Sequence, residues 1–213
     1  MPSRGDVVTF HDPSAPAGAS PWLPGCGPEP GIDVVDPDPG WPAAYDGVAA
    51  RIRAALGWRV LDLQHVGSTS VPGLPAKPVI DIDLIVADPD HEDAYVPALT
   101  RTGFELRVRE PWWFGHRVLR HDDPRCNLHV FGLDSPEPVK HRIFRDWLRG
   151  NDGDRDLYAR AKRTAAEAAN SAGEHVMQYN ARKQDVVREI YQRAFTAAGL
   201  LDAPPHTTYE EET

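Results

Sequence analysis

The segment 79–86, which reads VIDIDLIV, constrains the fold of this chain more than any other stretch. Alternate side chains of a strand point to opposite faces, so the even-numbered positions form one wholly apolar face. Asp81 and Asp83 share the other face with Val79 and Ile85. The pattern predicts a strand that packs its apolar face against a core and presents two carboxylates on the opposite face.

Two neighbouring carboxylates on a half-buried face repel each other and lose hydration unless cations compensate them. Mg²⁺ is satisfied by one or two carboxylates together with water and substrate phosphates. We therefore predict that Asp81 and Asp83 bind a metal. An Asp-x-Asp triplet alone leaves a second interpretation open, in which the two aspartates lie at an exposed strand end or pair with Arg or Lys.

A turn rich in hydroxyl groups precedes this strand, and its residues are Gly67, Ser68, Thr69 and Ser70. A strand that runs into Gly and small hydroxyl residues exposes backbone N–H groups to an anion, although an ordinary Ser/Thr turn has the same composition. Lys77 follows and can reach a phosphate or lie solvated on the surface. The spacing matches neither a Walker loop, G-x-G-x-x-G nor G-x-S-x-G. We predict an anion-binding turn shortly before the carboxylate pair.

The remaining pattern predicts an α+β domain with a mixed sheet and a helical C-terminal part. Strands are predicted over 58–66, 79–86, 104–108, 113–120 and 127–133, with a hairpin loop over 121–126. Helices are predicted over 44–56, 91–101, 139–149, 154–172 and 174–199. This domain spans 41–200, between a Pro- and Gly-rich arm over 1–40, extended or partly disordered, and a polar tail over 201–213.

Composition narrows the class of partner. The chain has 213 residues and a net charge of -9, which disfavours a nucleic-acid partner because phosphate backbones require clustered Lys and Arg. No long apolar run and no apolar leader are present, so we expect a cytoplasmic protein without a membrane partner. Two cysteines suit a reducing compartment. The oligomeric state is left open.

The turn, the spacer and the Asp-x-Asp strand resemble the signature of the nucleotidyltransferase superfamily, which has the polymerase-β-like fold. More narrowly, HVGSTSVPGLPAKPVIDIDLIV over 65–86 is similar, nearly word for word, to the hallmark of the GrpB (UPF0157) family. Similar pieces follow as NLHVF at 127–131, FRDWLR at 144–149, the spacing of Tyr158 and Lys162, and Tyr179 with Lys183. The resemblance covers residues 32–198.

The resemblance implies an enzyme that transfers a nucleotidyl group from a nucleoside triphosphate, with ATP expected, to a small acceptor. Asp81 and Asp83 would hold Mg²⁺ or Mn²⁺, and the turn would hold the triphosphate. Arg145, Tyr179 and Lys183 would contribute to the phosphate site from the helical part. The acceptor is left open among an amine, a hydroxyl and a carboxylate, the last giving adenylation for ligation. Two alternatives are a nucleotide- or metabolite-binding protein without catalysis and an accessory factor in coenzyme A metabolism, because GrpB-like domains resemble domains fused to dephospho-CoA kinases.

One position departs from the superfamily pattern. The superfamily usually has a third carboxylate on a later strand, whereas the corresponding triplet here is Leu128-His129-Val130. His129 is predicted at the site as a metal ligand, a general base or a structural histidine. Without the third carboxylate, a second metal ion is disfavoured.

Two further clusters have little support as functional sites of their own. His116, His121, Cys126 and His129 lie close in sequence, but no second paired-ligand motif supports a zinc site. The aromatic run 112–114 is typical of packing against the sheet more than of base stacking. His65, just before the turn, either lines the site or packs.

Overall fold

A computed structural model of the chain describes residues 1–11 and 14–202, and there five strands form one sheet. The strands are β1 (Asp62–Val66), β2 (Ile80–Val86), β3 (Glu105–Glu110), β4 (His116–Asp122) and β5 (Arg125–Gly132). Their order is β1-β2-β5-β4-β3, with β2 parallel to β5 and every other pair antiparallel. The predicted mixed sheet is confirmed.

The helices occupy the N-terminal segment, the region beside the sheet and the C-terminal part. They are α1 (Arg4–Val8), α2 (Trp41–Leu56), α3 (Val96–Thr100), α4 (Glu137–Gly150), α5 (Asp152–Ser171), α6 (Val176–Arg182) and α7 (Gln184–Ala197). The predicted helical C-terminal part is confirmed, and α2 ends as expected at Gly57, whose φ of 58° is accessible to glycine. Asn151 caps α5 by accepting a hydrogen bond from the Asp154 N–H.

Two predicted elements are shorter than expected. The strand predicted over 58–66 begins only at Asp62, because Gly57–Arg59 forms a 3-10 turn. The helix predicted over 91–101 is a 3-10 turn, Glu92–Ala94, followed by the short α3. Pro97 lies in the first turn of α3, where no backbone N–H is needed, so the proline is compatible with the start of this helix.

The single helix predicted over 174–199 is wrong. Two helices, α6 and α7, meet at Lys183, whose φ of -106° and ψ of 2° lie outside the helical region. The Lys183 ammonium lies 5.0 Å from the ring centre of Tyr179 and 5.7 Å from that of Tyr158. The break therefore coincides with a cation–aromatic contact that joins α5, α6 and α7.

The two faces of the sheet have different partners. The apolar face of β2, with Ile82 and Leu84 fully buried, packs in one core with Val48 and Ile52 of α2. The opposite face is covered in part by α4 and the helices behind it. A second cluster that includes Leu148 fills the space among these helices.

The N-terminal segment is packed against the domain. Val7 of α1 is buried beside α7, and Leu23 donates its N–H to the Arg107 carbonyl of β3 at 3.0 Å. Ile32 exchanges hydrogen bonds of 2.8 Å with the Asn170 side chain of α5. The segment is therefore anchored to the domain at Val7, Leu23 and Ile32. The polar tail predicted over 201–213 lies outside the described residues from 203 onward.

Across residues 1–11 and 14–202, none of the helices has both the length and the apolar character needed to span a bilayer.

Candidate functional site

A cleft of about 550 Å³ lies between the aspartate face of the sheet, helices α5 and α6, and the N-terminal segment. It brings together most of the predicted site residues, namely Gly67, Ser68, Thr69, Lys77, Asp81, His129, Tyr179 and Lys183. The predicted site residues of the sheet and those of the helical part are far apart in sequence, and they line the same cavity.

Asp81 lies on the floor of this cleft. Its Oδ1 accepts a hydrogen bond of 3.0 Å from the Asn127 amide, and Nε2 of His129 lies 3.9 Å from the same oxygen. Burial would raise the pKa of Asp81, but contact with His129, the charge of Lys77 and the Asn127 hydrogen bond together lower it. Asp81 is therefore held as an ionised carboxylate facing the cleft.

Gly67 allows the turn to approach this carboxylate. Its φ of 67° is in the left-handed region, and a Cβ built there would lie 2.4 Å from Oδ2 of Asp81. Glycine is therefore required both for the backbone conformation and for the close approach. The Gly-Ser turn and the first aspartate form one unit.

Asp83 lies deeper than Asp81 and is fully buried. Its Oδ2 is 2.9 Å from Nδ1 of His141 on α4, whereas Oδ1 has no hydrogen-bond partner among the described residues. Burial would lower the pKa of His141, but the Asp83 carboxylate raises it above its ordinary value. The ion pair ties α4 to the sheet and leaves one carboxylate oxygen unsatisfied.

The hydroxyl groups of the turn fall into two kinds. Thr69 and Ser70 are buried, and their hydroxyls donate to the carbonyls of Val79 at 3.1 Å and of Gly67 at 2.5 Å. Gly67 and Ser68 are accessible at the cleft. The Thr69 and Ser70 hydroxyls therefore shape the turn, and Gly67 and Ser68 form its more accessible end at the cleft.

Three of the four lysines in the chain line the cleft: Lys77, Lys162 and Lys183. Lys77 and Lys183 lie over the Tyr179 ring, at 5.7 and 5.0 Å from its centre. Burial lowers the pKa of Lys77 and, to a greater degree, that of Lys162, and the neighbouring lysines lower both further. Lys162 is buried and donates to the Pro75 carbonyl, so Lys77 and Lys183 are the members of this lysine cluster with ammonium groups available to an anion.

Arg145 lies outside this cleft. Its guanidinium donates to the His65 carbonyl at 2.9 Å and to the carboxylate of Asp146 at 2.7 Å. It borders a smaller pocket of about 180 Å³ that shares Gly67, Ser68 and Lys183 with the cleft. Arg145 thus holds the end of β1 that leads into the turn.

His65, for which two interpretations were open, packs, and Trp113 of the aromatic run packs as predicted. His65 stacks on Tyr45 with ring centres 4.7 Å apart, and its Nε2 lies 3.1 Å from the Thr69 hydroxyl. Trp113 packs edge-on against Phe131 at 6.0 Å.

Sequence reasoning did not single out Asn127, His141 or Lys162 as site residues. Asn127 had a readable signal, because it stands opposite Asp81 in the register of β2 with β5 and shares its face with His129. His141 has no local signal, since it reaches Asp83 from α4 through tertiary packing alone.

The residues present fit a metal ion that is coordinated partly by the protein and partly by a substrate. The unsatisfied, buried oxygen of Asp83 and the ionised Asp81 supply hard oxygen donors. Among the described residues no group of three or more His, Cys, Asp or Glu side chains is arranged to hold a metal by itself. A bound Mg²⁺ therefore needs water and phosphate oxygens to complete its coordination.

The sheet order, with paired aspartates beside a Gly-Ser turn, defines a nucleotidyltransferase-like fold. The sequence model described as GrpB protein matches residues 31–193, and the chain belongs to the GrpB family. It is 48% identical over 163 residues to a UPF0157 protein of Halalkalibacterium halodurans, which covers 76% of this chain and 82% of that protein.

The fold agrees with a solved relative. The crystal structure of the conserved protein GrpB from Enterococcus faecalis matches with a TM-score of 0.69 and 28% identity, over 78% of this chain and 99% of that one. A dephospho-CoA kinase of Mycolicibacterium paratuberculosis is 29% identical over 190 residues, which is 77% of this chain but 46% of that protein.

Proposed function

We propose that this protein is a metal-dependent nucleotidyltransferase that binds a nucleoside triphosphate, with ATP expected, and transfers its nucleotidyl group to a small acceptor. The cofactor expected is Mg²⁺, or Mn²⁺ in its place. The observation that carries the proposal is the meeting of two opposite charges in one cleft. The Asp81 carboxylate lies on the floor, and three of the four lysines of a chain with a net charge of -9 line the walls.

A metal triphosphate satisfies both charges at once. The cation balances the carboxylates, while the phosphate oxygens accept hydrogen bonds from the lysine cluster and from the Gly67-Ser68 turn. A free cation would leave the lysines uncompensated, and a free anion would be repelled by Asp81 and Asp83. The charge arrangement therefore supports a ligand that carries both signs.

The chain's residues have distinct roles in this proposal. Asp81 and Asp83 hold the metal, which when bound supplies charge neutralisation at the α-phosphate. Lys77 and Lys183 bind the β- and γ-phosphates, and Tyr179 orders both ammonium groups beneath them. Catalysis then comes mainly from in-line positioning of the two reactants.

The reaction breaks one phosphorus–oxygen bond and forms another. An oxygen or nitrogen of the acceptor bonds to the α-phosphorus, and the bond from that phosphorus to the bridging oxygen breaks. Pyrophosphate leaves with the electron pair. An alcohol or amine acceptor also passes its proton to a base, whereas an ionised carboxylate has no proton to lose.

Pyrophosphate release tests the proposal. The protein is mixed with each nucleoside triphosphate, Mg²⁺ or Mn²⁺, and panels of small alcohols, amines and carboxylic acids. Asp81→Asn should reduce release by about 100-fold or more, because an amide is a poor ligand for a hard cation. Asp93→Asn, at an exposed position of the Glu92–Ala94 turn, is the matched control and should leave release unchanged. Release that survives Asp81→Asn contradicts the assignment.

His129 favours a second candidate function, a nucleotide- or metabolite-binding protein without turnover. The residue stands at the cleft where the superfamily usually has a third carboxylate, 3.9 Å from Asp81. Calorimetry that detects nucleotide binding, together with no release from any acceptor panel, would favour this function over the first.

An accessory role in coenzyme A metabolism is supported only by the likeness to part of a dephospho-CoA kinase. Including dephospho-CoA and coenzyme A among the acceptors and the calorimetric ligands tests it. Binding of neither compound would remove that role.

A further inference from the structure

One row of directly paired residues crosses the sheet from the aspartates to the N-terminal segment. Asp83 of β2 pairs with His129 of β5, which pairs with Val118 of β4. Val118 pairs with Val108 of β3, and Val108 pairs with Trp22, which forms an isolated bridge at the outer edge of β3. Directly paired residues point to the same face of a sheet, so Trp22 lies on the face that carries the aspartates.

Two backbone hydrogen bonds fix Trp22 at this edge. The N–H of Leu23 donates to the Arg107 carbonyl at 3.0 Å. On the other side of Trp22, the Pro21 carbonyl accepts a hydrogen bond of 2.8 Å from the N–H of Arg109. Leu23 packs against the apolar core on the opposite face of the sheet, as the alternation of side chains requires. The half-buried Trp22 side chain is therefore directed to the cleft, and its backbone is in place before any ligand binds.

The N-terminal segment continues from Trp22 across the sheet and forms one wall of the cleft. The Glu29 carboxylate forms ion pairs with Arg120 of β4 and with Arg125 of β5. The Glu29 carbonyl accepts a hydrogen bond of 3.1 Å from the N–H of Val176 on α6. Glu29 is thus tied to the sheet and to the helical part, so the wall extends from the edge of β3 to α6.

The cleft has two chemically different ends. Trp22, Val108 and Val118 form an aromatic and apolar end. Asp81 lies at the other end, close enough to Lys77 for the two charges to interact. Trp22 is four strand spacings from β2, which is about 19 Å between their backbones. The volume of about 550 Å³ lies within the range of roughly 300–1,000 Å³ that small-molecule sites occupy, so one ligand can contact both ends.

We infer that the aromatic end of the cleft is a subsite for the nucleobase and that Trp22 is its stacking residue; the inference rests on the proposed function. A nucleoside triphosphate joins a charged chain to a flat aromatic ring, and these are the two chemistries at the two ends. The ribose carries the base away from the α-phosphorus beside Asp81 and towards Trp22. A small acceptor has its reacting atom beside Asp81 and is too short to reach Trp22 as well.

The role of Trp22 is to bind the base, at a distance from the reacting atoms. Every base has a π face, so stacking on an indole ring tolerates different bases, and a purine stacks over a larger area than a pyrimidine. Trp22 also lies outside residues 31–193, which the GrpB model matches. The stacking residue is therefore supplied by the N-terminal segment and not by the part of the chain that the family model describes.

Calorimetry measures the contribution of the base without catalysis. Analogues of ATP, GTP, CTP and UTP with a methylene bridge between the α- and β-phosphates are titrated with Mg²⁺ into the full-length protein. Inorganic tripolyphosphate is the matched ligand without a base. We expect wild type to bind the purine analogues about 10- to 100-fold more tightly than tripolyphosphate, with the pyrimidine analogues in between. Trp22→Ala should remove most of this difference and leave tripolyphosphate binding unchanged, whereas Trp22→Phe, which keeps a flat ring, should retain most of it.

Trp58→Ala is the matched control and should change none of these affinities, since Trp58 is 82% exposed and is not among the residues that line the cleft. Equal affinities of wild type for the analogues and for tripolyphosphate would overturn the subsite, even where Trp22→Ala fails to fold. Unchanged analogue affinities in Trp22→Ala would also overturn it, as would a loss confined to pyrophosphate release with ring-bearing acceptors. Failure of wild type to bind any analogue or tripolyphosphate contradicts the proposed function itself.

Discussion

The two faces of strand β2 differ in chemistry, although neighbouring residues form them: one face is apolar and packed, and the other carries carboxylates. Ile82 is fully buried in an apolar core under α2, where its contribution depends on packing alone. Asp83, the next residue, is equally buried on the other face, where it has one histidine partner and one unsatisfied oxygen. The face of Ile82 is occupied by apolar packing, whereas the face of Asp83 keeps a carboxylate oxygen without a partner among the described residues. Stability and ligand binding should therefore separate cleanly between the two faces.

The largest expected effect is a loss of stability caused by a substitution on the apolar face. Ile82→Ala should lower the free energy of unfolding by about 4 kcal/mol, because it removes buried methyl groups and leaves a cavity. Denaturant titration measures the loss, and Ile82→Val is the milder control at about 1 kcal/mol. Binding of a metal–nucleotide analogue to the folded Ile82→Ala protein should match wild type. A binding loss as large as the stability loss would show that the faces are not separate.

The next effect breaks the turn that adjoins the aspartate face. Gly67→Ala should cost about 2 kcal/mol and abolish analogue binding, because its φ of 67° is unfavourable and its Cβ would displace Asp81. Gly57→Ala is a matched control, since Gly57 also has a positive φ, of 58°, but open space around it. It should cost about 1 kcal/mol and leave binding intact. Equal binding losses in both variants would refute the close approach to Asp81.

The free energy of unfolding should also depend on pH, through the buried ring of His65. The expected change is similar to or smaller than the effect of Gly67→Ala. Burial lowers the pKa of His65 from 6.5 to about 4, with the charge of Asp81 opposing the shift. The folded state therefore binds fewer protons than the unfolded state, and stability is lost as the pH falls from about 6.5 towards 4. We expect a loss of about 2 kcal/mol between pH 7 and pH 5 from this group. Denaturation of His65→Gln across the same range should show a flatter profile, and a parallel profile would contradict the shift.

The smallest expected effect concerns phosphate binding by the lysine cluster beside the aspartate face. Lys183→Met should weaken binding of inorganic tripolyphosphate about 10-fold, the loss expected for one charge-assisted hydrogen bond. Arg182→Met, its neighbour, is the control because Arg182 pairs with Glu174 through two hydrogen bonds of 2.7 and 2.8 Å. Calorimetry measures both. Equal effects of the two variants would indicate general charge attraction and no defined lysine cluster.

The features that sequence predicted are those with a local cause. The alternation of β2, the stop of α2 at Gly57 and the hairpin between β4 and β5 are each encoded within a few residues. The turn at Gly67 and the aspartates of β2 are also close in sequence. The family resemblance and the residue chemistry therefore predicted the same site.

The features that sequence missed depend on long-range contacts. The break at Lys183 lies among residues that favour helix, and it accompanies contacts with Tyr158 on another helix. His141 meets Asp83 across 58 positions of sequence. The contacts of His116 with Glu110 and with His129 need three neighbouring strands in register.

One titration tests the central claim most directly. An ATP analogue with a methylene bridge between the α- and β-phosphates is titrated by calorimetry into wild type and Asp81→Asn, each with and without Mg²⁺. The account predicts Mg²⁺-dependent binding to wild type that is lost in Asp81→Asn, while both proteins retain the same fold by circular dichroism. Binding of equal strength to both proteins, or no binding to wild type, would contradict it.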